Sequence, residues 1–526
     1  MRIACAGGGP GGLFFAALLK TAAPDVDVTV FERNRAEDTF GFGVVFSDAT
    51  LAAVDEADPV LRGALAEHGR HWDEIEVRLK GERIRCGGNG MSAISRKSLL
   101  AALQDRARRA GVDLRFETEV SLADLEGYDL VVAADGANSG IRGELAHAFQ
   151  PAVRTATAKF IWFGTTYMFS GLTFVHERGP HGVFAVHGYP ISRDVSTFIV
   201  ETDEASWRAA GLDEFDVTQP PGPSDLRTKA YLQELFADQI DGRPLLVNNS
   251  RWGSFRTRRA ATWRHGRVAL LGDAAHTAHF SVGSGTKMAM EDAIALAQAV
   301  TVHRQDVEAA LAAYEAAARP SVEKIQGAAR PSLSWWEHFG RYHDAFEPWQ
   351  FAVHFLTRAM DVGRLARRAP DFVASARDAW RARHGSTPLA RVTVVTTDPA
   401  TGEARARLAG TELPLLTGAP PSGRAWGLLI EGPAAEESLE EARAVLARRV
   451  AGRPDLVAVR GGQLLARTLL AEEARLVHRI PTLVVDDDLT AEQAETLVLS
   501  GRADLVGGSP EAVARWTAEQ HRTAVP

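Results

Sequence analysis

With 526 residues, 45% of them hydrophobic and 24% charged, the chain is long enough for two or three domains, each with its own core. A net charge of −8 argues against a nucleic-acid partner, which would call for a basic surplus. Two cysteines, Cys5 and Cys86, are too few for a disulfide scaffold and show no metal-ligand spacing, so a reducing cytoplasm and no bound metal are expected.

The apolar run "LFFAALL" follows a glycine loop where a leader would have a basic segment, and no run reaches the length of a membrane span. Neither a signal peptide nor a membrane partner is expected. Residues 2–6 have the pattern of a buried parallel strand. Gly7, Gly9 and Gly12 then fit G-x-G-x-x-G, with Pro10 and Gly11 between them, and a helical stretch runs to Lys20. The strand "DVTVFE" ends at Glu32, at the spacing of a ribose-binding acid. Glycines let backbone approach a pyrophosphate, and the helix N-terminus faces its charge. A carboxylate at 32 disfavours a 2′-phosphate, so FAD or NAD fits better than NADP.

An amphipathic helix, "ISRKSLLAALQDRARRAG", is led by Ser95 and Arg96, and a strand follows with Val120 at its end. "YDLVVAADGANSGIR" is an apolar strand running into Asp135 and Gly136. Taken singly, Arg96 reads equally as a solvated helix start and Asp135 as a cap or turn. Residues 155–205 alternate as strands, with Trp162, Phe174, Phe184, His187 and Tyr189 as chamber-wall candidates. The strand "RVALL" then meets "GDAAHTAHFSVGSGTKMAMED" (272–292), a turn rich in small residues before a helix. Residues 306–385 read as helical, 386–422 as a linker, and 423–526 as alternating parallel strands and helices.

The glycine loop with Glu32, "DGANSGIR" and "GDAAH" together resemble the single-component flavoprotein aromatic hydroxylases, the para-hydroxybenzoate hydroxylase class. The resemblance implies an α/β fold: an FAD-binding Rossmann domain (1–150 and 255–305), an inserted α+β substrate sheet (151–254) and a helical flank (306–385). It implies FAD held by the loop residues Gly7, Gly9, Pro10, Gly11 and Gly12, by Glu32 and Arg33, and by Val45, Arg96 and Val120. Asp135, Gly136, Asp273, Gly283, Ser284 and Gly285 complete the set, with Asp273 on the ribityl chain. NADH or NADPH would reduce the flavin, and O₂ would react through a C4a-hydroperoxide. Two departures stand out: "TAHFSVG" is one residue longer than usual and lacks proline, and the loop 40–48 has no arginine for the pyrophosphate, leaving Arg33 or Arg35 as substitutes.

Longer stretches, "GFGVVFSDATL", "RPSLSWWEHFGRY" and "FLTRAM", are similar to salicylyl-CoA 5-hydroxylases and to the monooxygenase half of 2-aminobenzoyl-CoA monooxygenase/reductases. "HFS-x-G-x-G-T" also occurs in an indole-ring hydroxylase of violacein biosynthesis. An aromatic CoA thioester is therefore the implied substrate, with salicylyl-CoA to gentisyl-CoA the leading reaction. Another aromatic, or a non-catalytic flavin-binding role, are the alternatives. His279 is the first candidate for moving a substrate proton, followed by His187 and Tyr189; the plain reading of His279 is a packed histidine. His276 is expected to hold the Gly-Asp turn. Arg83, Arg85, Arg256 and Arg258 are candidates for the CoA phosphates, or else solvated charges at strand edges. The C-terminal stretch resembles the closing βα units of the old-yellow-enzyme barrel. Roughly 130 residues are too few for eight such units, so a truncated, non-catalytic half-barrel is expected. Nothing fixes the oligomer, a homodimer being one option.

Overall fold

The structure, a computed structural model, describes residues 1–523 except positions 40, 218–219, 221, 284, 409 and 419–423. The chain forms two compact units, Met1–Gly340 and Arg341–Pro526. Among the described residues no helix is long and apolar enough to cross a membrane.

The first unit contains a six-stranded sheet in the order Arg264–His265, Val268–Leu270, Leu130–Ala133, Arg2–Ala6, Asp27–Phe31, Asp113–Arg115, parallel throughout except at Arg264–His265. Helix Pro10–Ala22 lies so close to this sheet that glycine is obligatory twice. A Cβ on Gly12 would sit 2.2 Å from the Gly7 carbonyl oxygen, and one on Gly7, whose φ is +116°, would sit 2.1 Å from that of Ala134. Around Gly9 a Cβ would meet nothing within 4 Å, so the loop opens outward there.

The second sheet runs Leu245–Leu246, Pro151–Thr165, Ser196–Thr202, Gly182–Pro190, Leu172–Gly179, Ile75–Leu79, Glu82–Cys86, with Gly253–Ala260 also paired to Pro151–Thr165. Two of its strands thus come from before residue 150. Strand alternation splits its side chains cleanly. Ile161, Phe163, Phe184, Val186, Phe198 and Val200 pack with Leu232, Phe236 and Ile240 into one core. Trp162, Tyr189 and Ile199 face the other way, into a cluster with Trp72, Val45 and Phe280. Phe184 therefore belongs to the core and not to a chamber wall. The helical region expected over 306–385 divides: Val307–Trp336 lies in the first unit, and Pro348–Leu356, Val362–Arg368 and Pro370–His384 lie in the second.

The second unit holds a closed sheet, not an open half. Val392–Thr397, Ala404–Leu408 and Thr411–Leu416 form an antiparallel meander from the segment expected as a linker. Four parallel strands follow, Gly427–Glu431, Leu456–Arg460, Thr482–Val485 and Leu505–Gly508, and the last pairs with Val392–Thr397 to close the barrel. Hairpin connections need only a few residues where each parallel crossover needs a helix, so closure fits in a short chain. Ala404, Ala406, Leu415, Leu429, Leu456, Ala458 and Leu483 fill it.

Beside this barrel, still within the second unit, lies a buried ionic knot. Glu472 accepts from the Tyr342 hydroxyl, and its other oxygen is 3.3 Å from His354 Nε2 and 3.7 Å from Arg502 Nε. Burial, with Arg502 beside it, pushes the His354 imidazole below its ordinary value, so it is neutral when folded. Burial alone would raise Glu472, but His354, Arg502 and Arg341 outweigh it and hold the carboxyl low. Both shifts have one sign. The unfolded chain takes up protons that the folded unit refuses, so stability falls as the pH drops below the ordinary imidazole value of about 6.5, and falls again below about 4.3 as the carboxyl protonates. Calorimetry of the full chain should show the transition of Arg341–Pro526 falling by at least about 4 °C between neutral pH and pH 5. His354→Gln should flatten that first part of the dependence.

Candidate active site

The glycine loop ends in helix Pro10–Ala22, which starts with proline and has no side-chain cap at Gly9. Its first amides face the open space beyond Gly9, a ready place for an anion. Glu32 closes one side of the loop: it accepts from Gly8 N at 2.8 Å and from Asn34 N and Nδ2 at 2.9 and 2.7 Å. Arg33 points away, 3.9 Å from Glu119, and Arg35 lies 3.5 Å from Glu117, both on the exposed surface. In these positions both guanidiniums are paired with surface carboxylates and turned away from the glycine loop's Glu32 network. Val120 packs at the margin of the first core.

Asp135 follows the strand Leu130–Ala133. One oxygen accepts from Ile141 N at 3.3 Å, while Oδ1 is buried without a hydrogen-bond partner among the described residues. Gly136 has a φ of +81°. Ser139 caps the short helix after it, and Arg142 then reaches two carbonyls, donating to Ala137 O and to Ala274 O, each at 2.8 Å. The segment 135–142 is thereby tied to the Gly-Asp turn. That turn is anchored from below by Asp292, almost wholly buried, which accepts from Gly272 N at 3.0 Å and lies 2.8 Å from His276 Nε2. His276 thus acts on the turn through Asp292. Neither Asp292 nor Asn34 was singled out from sequence.

Asp273 presents an exposed side chain although protein surrounds it closely, as on the floor of a recess. That enclosure raises its carboxyl above the usual range, with His276, Arg96 and Arg258 pulling the other way. Arg96 opens helix Arg96–Ala110; its N–H donates to Phe42 O at 2.9 Å and its guanidinium lies over Trp162, 5.4 Å from the ring centre. Its Nε is buried without a hydrogen-bond partner among the described residues. Val45 and Gly283 are neighbours, a Cβ on Gly283 falling 3.6 Å from Val45 Cγ1. Helix Gly285–Val302 begins immediately beyond; Ser284 lies outside the described residues.

The sheet face turned toward Arg96 and Phe280 carries the proton-handling candidates. Tyr189 is buried; burial raises its phenol, with a Thr197 hydrogen bond and Arg96 opposing. His279 is 2% exposed, with Nδ1 2.7 Å from Ser281 Oγ, which is 2.8 Å from Ser332 Oγ. His279 Nε2 is 3.4 Å from Glu201 Oε1, and His187 Nε2 is 3.5 Å from the same oxygen. Glu201 was missed from sequence, although alternation in "STFIVET" puts it on the same face as Ile199.

The four candidate CoA arginines do not meet. Arg83 and Arg85 lie on Glu82–Cys86 and Arg256 and Arg258 on Gly253–Ala260, six strand-to-strand steps apart, or roughly 29 Å along the sheet. Arg85 is bound to buried Glu76 at 3.1 Å. Arg258 donates to Asn138 Oδ1 at 3.0 Å, on the side of Asp273 and Arg142.

A recess whose glycines leave open space, with an uncapped helix start and buried orphan atoms on Asp135 and Arg96, fits a large dinucleotide such as FAD. The family described as "FAD binding domain" matches residues 1–329. A salicyloyl-CoA 5-hydroxylase of Streptomyces sp is 56% identical over 97% of this chain and 100% of its own length. A 3-hydroxy-4-methyl-anthranilyl-[aryl-carrier protein] 5-monooxygenase of Streptosporangium sibiricum is 38% identical over 64% of this chain and 89% of its own. The solved 2-methyl-3-hydroxypyridine-5-carboxylic acid oxygenase shares the fold, with a TM-score of 0.52 and 22% identity over 68% of this chain and 98% of its own. The chain belongs to the FAD-dependent monooxygenases, the flavoprotein hydroxylases built on this FAD-binding domain.

Proposed function

We propose that this monooxygenase hydroxylates the ring of an aromatic CoA thioester, with salicyloyl-CoA as substrate and gentisyl-CoA as product. The observation that carries the reading is the 56% identity to the salicyloyl-CoA 5-hydroxylase, which runs through both units and spans that relative completely. Chemistry supports it. In both relatives the oxygen goes to ring position 5, para to the substituent at position 2, a hydroxyl in a salicyloyl group and an amine in an anthranilyl group. Each carries its ring on a thioester-forming partner. A donor para to the reacting carbon raises its nucleophilicity.

When FAD is bound and reduced by NADH or NADPH, it would supply the electrophilic oxygen from O₂. The protein binds and orients. The uncapped start of Pro10–Ala22 and the amides after Gly7 would hold the pyrophosphate, Glu32 the adenosine ribose, and Asp273 the ribityl hydroxyls. Asp135 and Arg96, with orphan atoms facing inward, would complete their hydrogen bonds on the cofactor. Helix Gly285–Val302 would set its positive end toward the flavin ring, with Val45 and Gly283 bordering it. Trp162, Tyr189 and Phe280 would exclude water beside the substrate ring. Arg256, exposed on a strand whose carbonyl binds Thr277 Oγ1 at 2.6 Å, is assigned to the CoA phosphates in preference to Arg83 and Arg85 on the far edge. A cytoplasmic setting, in which buried Cys5 and Cys86 stay reduced, belongs to the same reading.

The purified yellow protein should oxidise NAD(P)H faster with salicyloyl-CoA than with free salicylate or 2-aminobenzoyl-CoA, and the product should gain one oxygen. Stimulation by the free acid alone would transfer the assignment to an uncoupled aromatic. For the cofactor site, Arg142→Ala removes two charge-assisted hydrogen bonds that join its walls. A loss of about 2 kcal/mol, roughly 30-fold in FAD affinity, is expected in a flavin-fluorescence titration. An unchanged affinity would show that the two loops hold position without it.

A further inference from the structure

Glu201 is a carboxylate on the strand face that also carries Trp162, Tyr189 and Ile199, and two histidines from other segments approach it. It opposes Phe160 on one side and Ala185 on the other. Its Oε1 is shared between His279 Nε2 at 3.4 Å and His187 Nε2 at 3.5 Å, and all three residues are 3% exposed or less. A carboxylate so enclosed is retained only when positive charge or donors balance it. His279 precedes the turn through Gly283, which borders Val45, and His187 touches Phe280 at 5.6 Å. The arrangement therefore stands on the sheet face turned toward the flavin recess.

We propose that Glu201, held between His187 and His279, is the residue that suits this site to a ring bearing an acidic hydroxyl. The inference rests on the salicyloyl reading above. Glu201 acts through the histidines: its negative charge stabilises an imidazolium, so the pair takes a proton more readily. The ring hydroxyl at position 2 gives its proton to the relay and keeps the O–H electron pair, which activates the carbon para to it. After the established oxygen transfer, the hydrogen on the attacked carbon leaves as a proton toward the water formed. The relay then returns its own proton to the ring oxygen, so it ends as it began. A ring amine donates its lone pair without losing a proton and draws nothing from the relay. Other titratable groups on this face include His176, stacked on Trp336 beyond His187, and Tyr189 and Arg96 farther along it. His279 is further held by the Ser281 and Ser332 hydroxyls.

The test uses the FAD-loaded enzyme, 2-hydroxybenzoyl-CoA and Glu201→Gln. Without NAD(P)H, the ultraviolet difference spectrum of the bound thioester reports phenolate as the pH is varied. The variant should need a pH higher by about one unit or more to reach the same phenolate fraction. Its kcat at neutral pH should drop roughly 10- to 100-fold while KM changes far less, and the deficit should shrink as the pH rises. Turnover or NAD(P)H stimulation with 2-aminobenzoyl-CoA should change little. If the variant loses its flavin, His187→Gln takes its place with the same upward shift expected. Phenolate titration identical in wild type and variant, or a loss independent of pH and equal for both thioesters, would overturn the relay alone. A wild-type enzyme that neither binds nor hydroxylates the hydroxy thioester would overturn the substrate reading, and the relay with it.

Discussion

The cofactor recess depends on one side chain that touches no ligand in any scheme above. Arg142 donates to Ala137 O within its own loop and to Ala274 O in a turn that lies 132 residues away in sequence. A guanidinium with two carbonyl acceptors fixes both position and angle, as a single hydrogen bond does not. Asp292 does the matching work from beneath, joining Gly272 N to His276. Among the described residues, Asp135 Oδ1 and Arg96 Nε are buried beside these groups with no protein hydrogen-bond partner, as is His276 Nδ1 in the turn itself. An orphaned buried polar atom costs about 1–3 kcal/mol, so their persistence points to a partner that arrives with the cofactor.

How much of this could be read from residues alone depended on whether the physics was local. The glycine loop was legible because its constraint is local: Gly7 and Gly12 are excluded from being anything else by contacts of 2.1 and 2.2 Å. "DGANSGIR" and "GDAAH" were legible only as members of an ordered set, since a cap and a turn explain each one singly. Arg33 illustrates the limit. Its position in the sequence suits a phosphate, but its side chain leaves the strand end toward Glu119. Direction of departure is set by tertiary packing and has no signature in spacing.

The substrate sheet shows a second kind of illegibility. Strand alternation was visible, but which face packed on the helices and which turned toward Val45 and Phe280 was not, so Phe184 was grouped with His187 although they sit on opposite faces. Sheet order was hidden too. Arg83 and Arg256 both fall near strand edges in the sequence, yet the edges are opposite ones because Ile75–Leu79 joins the sheet from an earlier part of the chain. Glu201 escaped for a related reason: a glutamate near a strand end reads as solvated, whereas the fold buries it to 1% exposure with histidines from other segments beside it.

The barrel of the second unit changes how the function is apportioned. Residues 1–329 already complete the FAD-binding match, and a monooxygenase of Streptosporangium sibiricum aligns with only 64% of this chain over most of its own length. Oxygen chemistry of this type thus does not require the last third. That third nevertheless has its own core, its own sheet closed strand to strand, and a buried ionic knot around Glu472 that costs desolvation and is kept. A decaying remnant would be expected to lose closure first, because each unpaired edge is an aggregation liability. Here three antiparallel strands replace what parallel units would have supplied and close the sheet among the described residues. The unit is compact, with a closed sheet of its own, and the alignment with the salicyloyl-CoA 5-hydroxylase of Streptomyces sp covers 97% of this chain, so it reaches into this unit as well as the FAD-binding one.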